Sequence, residues 1–315
     1  MQGAGSESAP YTVNLMTSIE LIAPAKVNLF LKVLDKRKDS YHNIVTLFER
    51  VSLADTIKIS KSPSGVTVSS NKTITRHPYD NIVFKAACII LKRAGIRSGV
   101  SIKIKKNIPV TSGMGGGSSD AASTLIGINK LFRAGLSAKE LMGMGKTLGA
   151  DVPFFLLNKP FAVGRGIGDR LNEVKSGAVL WHLIIYPGPL KSSTKDIYNT
   201  FDKVRSRLTS RDLTIKCGND KIHRFFSQKS YPDTAYDMLH NDLETAVVSK
   251  NKVIGKILKR LAIVLDTKVI LSGSGPSVFC LYDTRKEAIK AKEVLLERIP
   301  RPERKFWRIF IAKTV

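Results

Sequence analysis

From Ile19 onward, apolar and polar residues alternate with period two in some stretches and recur every three or four positions in others, so strands and helices interleave along the first half. Residues 25–33, 56–59, 66–68 and 100–104 alternate and predict strands. Helical spacing follows Asp80 through Ile82, Val83, Ala86, Ile89 and Ile90 to a stop at Gly95, and again through Ala121, Ala122, Leu125, Ile128 and Phe132 to Gly135. Ser137 with Glu140 is a capping-box signature for a further helix ending at Gly149, and the apolar run 152–157 beyond it predicts a strand. The second half opens on an apolar strand at 179–186. Helical patterns over 194–208 and 242–265, strands at 269–271 and 278–282, a helix over 285–298 and a strand at 306–311 follow. That order, strand, helices, two strands, helix, strand, predicts a split βαβ layer. Residues 203–233 are charged and weakly periodic and read as a loop-rich insertion; no internal repeat is visible.

Residues 1–18 are polar, Ser-rich and without periodicity, which predicts a disordered leader or the remnant of a processed targeting segment. They lack both the Arg-rich amphipathic pattern of a complete transit peptide and the apolar core of a signal peptide. At 315 residues the chain is long enough for one large core or two modest ones, and two is the expectation. With 43% hydrophobic and 24% charged residues it has the balance of a folded globular protein, and no apolar stretch approaches the roughly 18 residues of a membrane span.

Charge is the unusual part of the composition: 51 Lys and Arg against 26 Asp and Glu give a net +25. Such an excess is compatible with nucleic acid, an anionic membrane surface or polyanionic small substrates. Because the basic residues are spread along the chain, without a long block or interleaved aromatics, solvated basic faces are the preferred reading. Cys88, Cys217 and Cys280 are few and widely spaced, which suits a reducing compartment and offers no metal framework.

The chemistry concentrates at 109–121, where Pro-Val-Thr-Ser-Gly-Met-Gly-Gly-Gly-Ser-Ser-Asp-Ala runs from a strand into a helix. Such a loop bares backbone N–H groups at the positive end of the helix dipole and suits a phosphate chain. It is not a G-x-x-x-x-G-K-[ST] loop. The segment Gly143-Met144-Gly145-Lys146-Thr147 mimics the end of that motif, but Glu140 stands where the first glycine is needed. Three consecutive glycines followed by two serines also fail the G-x-G-x-x-G pattern of dinucleotide binders.

Six strings, Pro24-Ala25-Lys26-Val27-Asn28-Leu29, Tyr41-His42, residues 113–122, Gly149-Ala150-Asp151-Val152-Pro153-Phe154-Phe155, Asn241-Asp242-Leu243-Glu244 and Leu271-Ser272-Gly273-Ser274-Gly275-Pro276, occur in this order. Together they resemble the GHMP kinases (galactokinase, homoserine kinase, mevalonate kinase, phosphomevalonate kinase). The resemblance implies an α/β (α+β) fold in two domains. Residues 19–178 would form an ATP-binding, ribosomal-protein-like N-terminal domain with a left-handed crossover, and 179–315 a ferredoxin-like C-terminal substrate domain. It further implies transfer of the γ-phosphate of ATP, taken as its Mg²⁺ complex, to the 2-hydroxyl of 4-diphosphocytidyl-2-C-methyl-D-erythritol.

Phosphoryl transfer to an alcohol needs a base near the hydroxyl, a cation near the transferred group and donors around the phosphates. By resemblance Asp151 is the general base, and Lys26 polarises the hydroxyl and holds Asp151 ionised. Lys26 is mid-strand, so its charge must reach solvent or a cleft. Gly113, Met114, Gly115, Gly116, Gly117, Ser118 and Ser119 would contact ATP, with the serine hydroxyls open either to phosphate oxygen or to Mg²⁺. Asn28 shares the strand face of Lys26 and is implied to orient substrate. Tyr41 and His42 resemble a pair that stacks on cytosine and hydrogen-bonds its edge, with Tyr198 a second aromatic and Thr194, Gly273 and Ser274 further substrate contacts. No metal carboxylate is identified, and Asp120 is read as a helix cap.

The sequence also departs from the family pattern. Met114 replaces a usual leucine, Thr111-Ser112 replace smaller residues, 164–169 match a family glycine segment only loosely, and 187–194 diverge most. Two alternatives stay open: another GHMP small-molecule kinase, with no need of Tyr41, His42 or Tyr198, and a non-catalytic RNA-binding protein. No membrane partner is expected, nucleic acid is not the preferred partner, and the chain is expected as monomer or homodimer. It is expected in a bacterial cytoplasm or a plastid- or apicoplast-type organelle, the lysine excess and polar leader favouring the organelle.

Overall fold

In the computed structural model, residues 16–189, 192–206 and 238–315 are described; most of the expected leader, most of the 203–233 insertion and Cys217 lie outside them. Two long strands, β1 (Ser18–Lys36) and β2 (His42–Ser62), pair antiparallel and form the spine. Register shifts interrupt the pairing after Pro24 and between Asn28 and Phe30. Pro24 has no N–H to give to a ladder, and a bulge absorbs that loss. Within β1 the period of two sends Ala25, Val27 and Leu29 into one apolar cluster and leaves Lys26 and Asn28 on the opposite face.

Around that spine, β3 (Val66–Ser70) runs parallel to β4 (Gly99–Lys105), which pairs with the outer half of β2. The inner half of β2 instead pairs with β5 (Phe161–Arg165), itself joined to β6 (Arg170–Glu173). Helices α1 (Ile82–Arg93), α2 (Gly116–Leu131) and α3 (Ala138–Leu148) cover one face of this sheet. Asn81 caps α1 by accepting from the Val83 N–H at 2.9 Å, and the Ser137–Glu140 capping box opens α3 as expected.

The run 152–157 is a helix, α4 (Val152–Leu157), and not the expected strand. Six consecutive apolar residues carry no periodicity, and Pro153 fits the first helical turn, where no N–H partner is needed. Phe154 and Phe155 are buried from it into the cluster beneath α2.

A second sheet has the order β11-β7-β10-β9, built from β7 (Trp181–Tyr186), β9 (Ile270–Leu271), β10 (Val278–Tyr282) and β11 (Arg308–Lys313), with every pairing antiparallel. Numbered along the chain this is 4-1-3-2, the split βαβ layer the pattern predicts. Helix α5 (Thr194–Arg205) follows β7, and the pattern over 242–265 divides into α6 (Leu243–Lys250) and α7 (Lys252–Leu265). Asn251 makes the division: its backbone leaves helical geometry, and its side chain accepts from the Val253 N–H at 3.1 Å to start α7. Helix α8 (Arg285–Arg298) matches its predicted span. The two sheets are fastened together. Short β8 (His240–Asn241) pairs with β1, and a buried trio joins β2 to the second sheet: Glu49 Oε2 lies 3.0 Å from His182 Nε2, and Thr314 donates to Glu49 Oε1 at 2.6 Å.

Candidate active site

Lys26 is 5% exposed, and its ammonium is met on several sides. Nζ donates to Asn28 Oδ1 at 2.7 Å, stands 3.5 Å from Asp151 Oδ2, and lies 5.4 Å from the Phe48 ring centre. Asn28 is fixed in turn, donating to Thr46 Oγ1 at 2.7 Å, while Thr46 donates to the Phe30 carbonyl at 2.8 Å. This chain of bonds leaves Lys26 few alternative positions. Asp151 sits at the start of α4 with no capping bond of its own and a side chain 31% exposed, the accessible member of the couple.

The glycine loop lies against this couple. The Lys26 N–H donates to the Met114 carbonyl at 2.9 Å, so the strand that carries the lysine is bonded to the loop itself. Gly113 and Gly115 both have positive φ, and Gly115 is the left-handed residue from which α2 starts. As the first helical residues, Gly116, Gly117 and Ser118 have N–H groups without intrahelical acceptors, which makes them available to anionic oxygen. Ser119 is buried, and its hydroxyl has no partner among the described residues.

A second glycine-rich turn from the other sheet closes over the first. Ser272 Oγ donates to the Gly113 carbonyl at 3.2 Å, and the Ser277 N–H donates to the Ser112 carbonyl at 3.1 Å. The approach is so close that a Cβ on Gly113 would stand 2.3 Å from the Ser272 oxygen, and one on Gly273 would stand 3.3 Å from Lys26 Nζ. Asn241 holds this turn, donating to the carbonyls of Leu271 and Gly273, each at 2.8 Å. Ser274 reaches α5 through its hydroxyl, 3.0 Å from that of Thr194.

Beside Asp151 lies an aromatic and charged cluster. His42 is buried and stacks on Tyr198, ring centres 5.1 Å apart, and its Nε2 is 2.6 Å from Asp202 Oδ1. Lys36 donates to the other Asp202 oxygen at 2.8 Å. Burial pushes the Asp202 carboxyl upward, but the bonds from Lys36 and His42 outweigh it and hold the group below its ordinary value. Burial, with the charge of Asp151 nearby, raises the Tyr198 hydroxyl well above the ordinary phenol value. Tyr41 stands apart, 60% exposed at the tip of the β1–β2 turn, whose Arg37–Asp39 ion pair spans 2.8 Å.

The structure therefore gathers Lys26, Asn28, Asp151, residues 113–119, Gly273 and Ser274 at one junction, with Thr194, Tyr198 and His42 adjoining. It also shows a buried charged trio that the sequence reading misses. Lys106 donates to Asp55 and, at 2.7 Å, to Asp120, all three being 5% exposed or less. Asp120 is thus no helix cap: Gly115 has that place, and Asp120 faces inward from the first turns of α2. Burial, reinforced by the charge of Asp55 and opposed by that of Lys106, raises the Asp120 carboxyl to about 7. The signal was in the alternation. Ile102 and Ile104 point inward along β4, and Lys106 falls on the same phase, as Asp55 does before Ile57 and Ile59 of β2.

Residues 81–159 match the family model described as GHMP kinases N terminal domain, and 232–300 that described as GHMP kinases C terminal. The chain is similar to the 4-diphosphocytidyl-2-C-methyl-D-erythritol kinase of Syntrophus aciditrophicus (strain SB), 40% identical over 277 residues that cover 88% of this chain and 94% of the relative. The protein of the same name from Syntrophotalea carbinolica is 40% identical over 93% of this chain and 98% of its own. A solved 4-(cytidine 5'-diphospho)-2C-methyl-D-erythritol kinase superposes with a TM-score of 0.75 at 30% identity, over 94% of this chain and 98% of the other.

Proposed function

The chain belongs to the GHMP kinase family, and from that membership we propose that it transfers the γ-phosphate of ATP to the 2-hydroxyl of 4-diphosphocytidyl-2-C-methyl-D-erythritol. The observation that most supports this reading is the couple of Lys26 and Asp151, 3.5 Å apart and bonded through the Lys26 N–H to the glycine loop.

Asp151 takes the proton of the substrate hydroxyl as that oxygen attacks the γ-phosphorus, while the bond from phosphorus to the β–γ bridging oxygen breaks and ADP leaves. Lys26 supplies positive charge where the alkoxide character develops, held by Asn28 so that little reorganisation is needed at the moment of transfer. The N–H groups of Gly116, Gly117 and Ser118 bind phosphate oxygens. Mg²⁺ would enter as part of the ATP complex, with the Ser118 and Ser119 hydroxyls as the loop's side-chain oxygens able to hold it. When bound, it neutralises charge on the transferred group.

Base recognition falls to His42 and Tyr198, with Tyr41 exposed beside them on the β1–β2 turn and Thr194, Gly273 and Ser274 lining the alcohol side. The first half, 19–178, supplies the loop and the Lys26–Asp151 couple, and 179–315 supplies the turn and α5. ADP release, coupled to an optical assay, should require the cytidyl alcohol and be competed by cytidine nucleotides. Asp151→Asn should still bind both substrates and lose turnover by at least ~100-fold; turnover within ~10-fold of the wild type would remove Asp151 as the base.

A further inference from the structure

One buried ammonium connects the two ends of the glycine loop. Strand β4 stops at Lys105, and the next residue, Lys106, turns inward, its Nζ donating to Asp55 Oδ2 and, at 2.7 Å, to Asp120 Oδ2. Asp55 is fully buried on β2 and gives its other oxygen to the backbone: Oδ1 accepts from the Asn107 N–H at 2.6 Å and from the Ile108 N–H at 2.8 Å. Those two residues lead directly into the loop at Pro109. Asp120 belongs to the opening turns of α2, which starts at Gly116 where the loop ends. Asp55 therefore grips the entry, Asp120 grips the exit, and Lys106 joins them.

Three charged groups buried together hold one arrangement, because a partner that swings away leaves another charge unpaired inside the molecule. That arrangement bears on the start of α2. A Cβ on Gly116 would stand 3.2 Å from Lys106 Nζ and 3.0 Å from Ile108 Cγ2, so both side chains lie directly against the first helical residue. Gly116, Gly117 and Ser118 are the residues whose N–H groups are open to phosphate. The bond from the Lys26 N–H to the Met114 carbonyl fastens the middle of the loop to the catalytic couple, and the trio fastens its ends.

We propose that Lys106, Asp55 and Asp120 form an ionic clasp that sets nucleotide affinity: they are positioning residues, which act on ATP through the backbone they hold, keeping the N–H groups of residues 116–118 in place before the phosphates arrive. This rests on the reading of the loop as the ATP site in the preceding section. Donors that are already ordered bind more tightly, because no ordering remains to be done on binding. The bonds of the clasp run within the first half of the chain and reach none of the side chains assigned to the cytidyl alcohol. Its effect is therefore on ATP, and not on the acceptor.

Asp120→Asn and Asp120→Leu separate the bond from the bulk. Asparagine keeps an acceptor for Lys106; leucine keeps the volume, leaves Lys106 and Asp55 as a balanced pair, and removes only the bond at the α2 end. Calorimetric titration with the imido analogue of ATP, AMP-PNP with Mg²⁺, should give a Kd within ~3-fold of the wild type for Asp120→Asn and raised by at least ~10-fold for Asp120→Leu, the scale of one charge-assisted hydrogen bond. Titration with the cytidyl alcohol should give a Kd within ~2-fold of the wild type for both, since the clasp does not reach its side chains. Lys106→Met/Asp120→Leu is the second route, an apolar pair in place of an ionic one, which folded proteins often accept. It should weaken AMP-PNP to within ~3-fold of Asp120→Leu alone, because the two changes open the same clasp. Wild-type affinity for AMP-PNP in either leucine variant, shown to be folded by circular dichroism, overturns the clasp. So does an equal loss for AMP-PNP and the cytidyl alcohol, or an equal loss in Asp120→Asn and Asp120→Leu. A wild type that fails to bind AMP-PNP overturns the reading of the loop itself, whereas one that binds AMP-PNP and not the cytidyl alcohol overturns the cytidyl reading, and the clasp is then judged on AMP-PNP alone.

Discussion

Three buried charges, on Lys26, Lys106 and Asp120, show how burial is tolerated only with partners, and each sits within a few residues of the glycine loop or bonded to it. Lys26 has Asn28 and Asp151. Lys106 serves two carboxylates, which leaves the trio one negative charge in excess when all are ionised. The raised Asp120 carboxyl relieves that excess by holding a proton. A carboxyl lifted from 3.8 in the unfolded chain to about 7 in the folded one binds its proton more tightly when folded. Its contribution to stability is therefore full below about pH 4 and is lost as pH rises through about 7. Asp120→Asn keeps an acceptor for Lys106 and removes the titration. The variant should match the wild type at the acid end and exceed it in stability by a margin that widens by up to ~1.4 kcal/mol per pH unit, then levels above about pH 7. Urea denaturation across that range measures it; a variant less stable than the wild type at pH 8 would contradict the argument. At this scale the sequence was legible where a motif or a phase spoke. Lys26 and Asp151 stood in recognisable strings, and Lys106 and Asp55 betrayed themselves by occupying inward positions. Asp202 had no such mark, since its partner His42 lies 160 positions away.

Helices are placed by their caps as much as by their faces, and two caps here allow a controlled comparison. Ser193 and Thr284 each complete a capping box, with Asp196 and Glu287, at the starts of α5 and α8. Replacing either by alanine should cost about 1 kcal/mol of stability, visible as a lowered midpoint in urea. The functional consequences should differ. Helix α5 carries Thr194, Tyr198 and Asp202, so Ser193→Ala should also raise KM for the cytidyl alcohol several-fold, whereas α8 packs on α7 and the second sheet and Thr284→Ala should leave that constant within ~2-fold. Equal effects on KM would mean that α5 is positioned by its packing alone. The same caps explain what could be read in advance. Ser137 with Glu140 announced α3 because capping is local chemistry. The run 152–157 carried no periodicity, and its helix is decided by burial of Phe154 and Phe155 together with Pro153 in the first turn. Asn251, a cap flanked by lysines, divides a pattern that reads as one helix.

At the scale of the molecule, the elements of the second sheet were legible, but β5 and β6, the helix at 152–157 and the joint between the sheets were not, the joint because it is made of contacts between residues far apart in sequence. The net charge of +25 said little about this joint, where Glu49 meets His182 and Thr314. Its tightest point is the meeting of the two glycine turns. Gly113 has φ of 80° and leaves no room for a side chain, a Cβ there standing 2.3 Å from the Ser272 oxygen and 3.0 Å from Gly275 backbone. Gly135 has a similar φ of 69°, yet a Cβ on it would meet nothing within 4 Å. Alanine at either position carries the strain of left-handed backbone, about 1–2 kcal/mol. Only Gly113→Ala must also push one turn away from the other, and with it the segment bonded to Lys26. Displacement of a catalytic group by about 1 Å costs on the order of 100-fold in rate. Gly113→Ala should therefore lose at least ~100-fold in kcat/KM while folded, whereas Gly135→Ala should lose stability alone and keep kcat/KM within ~2-fold. Comparable losses of activity in the two variants would mean that backbone strain, and not contact between the two sheets at this turn, governs the geometry of the site.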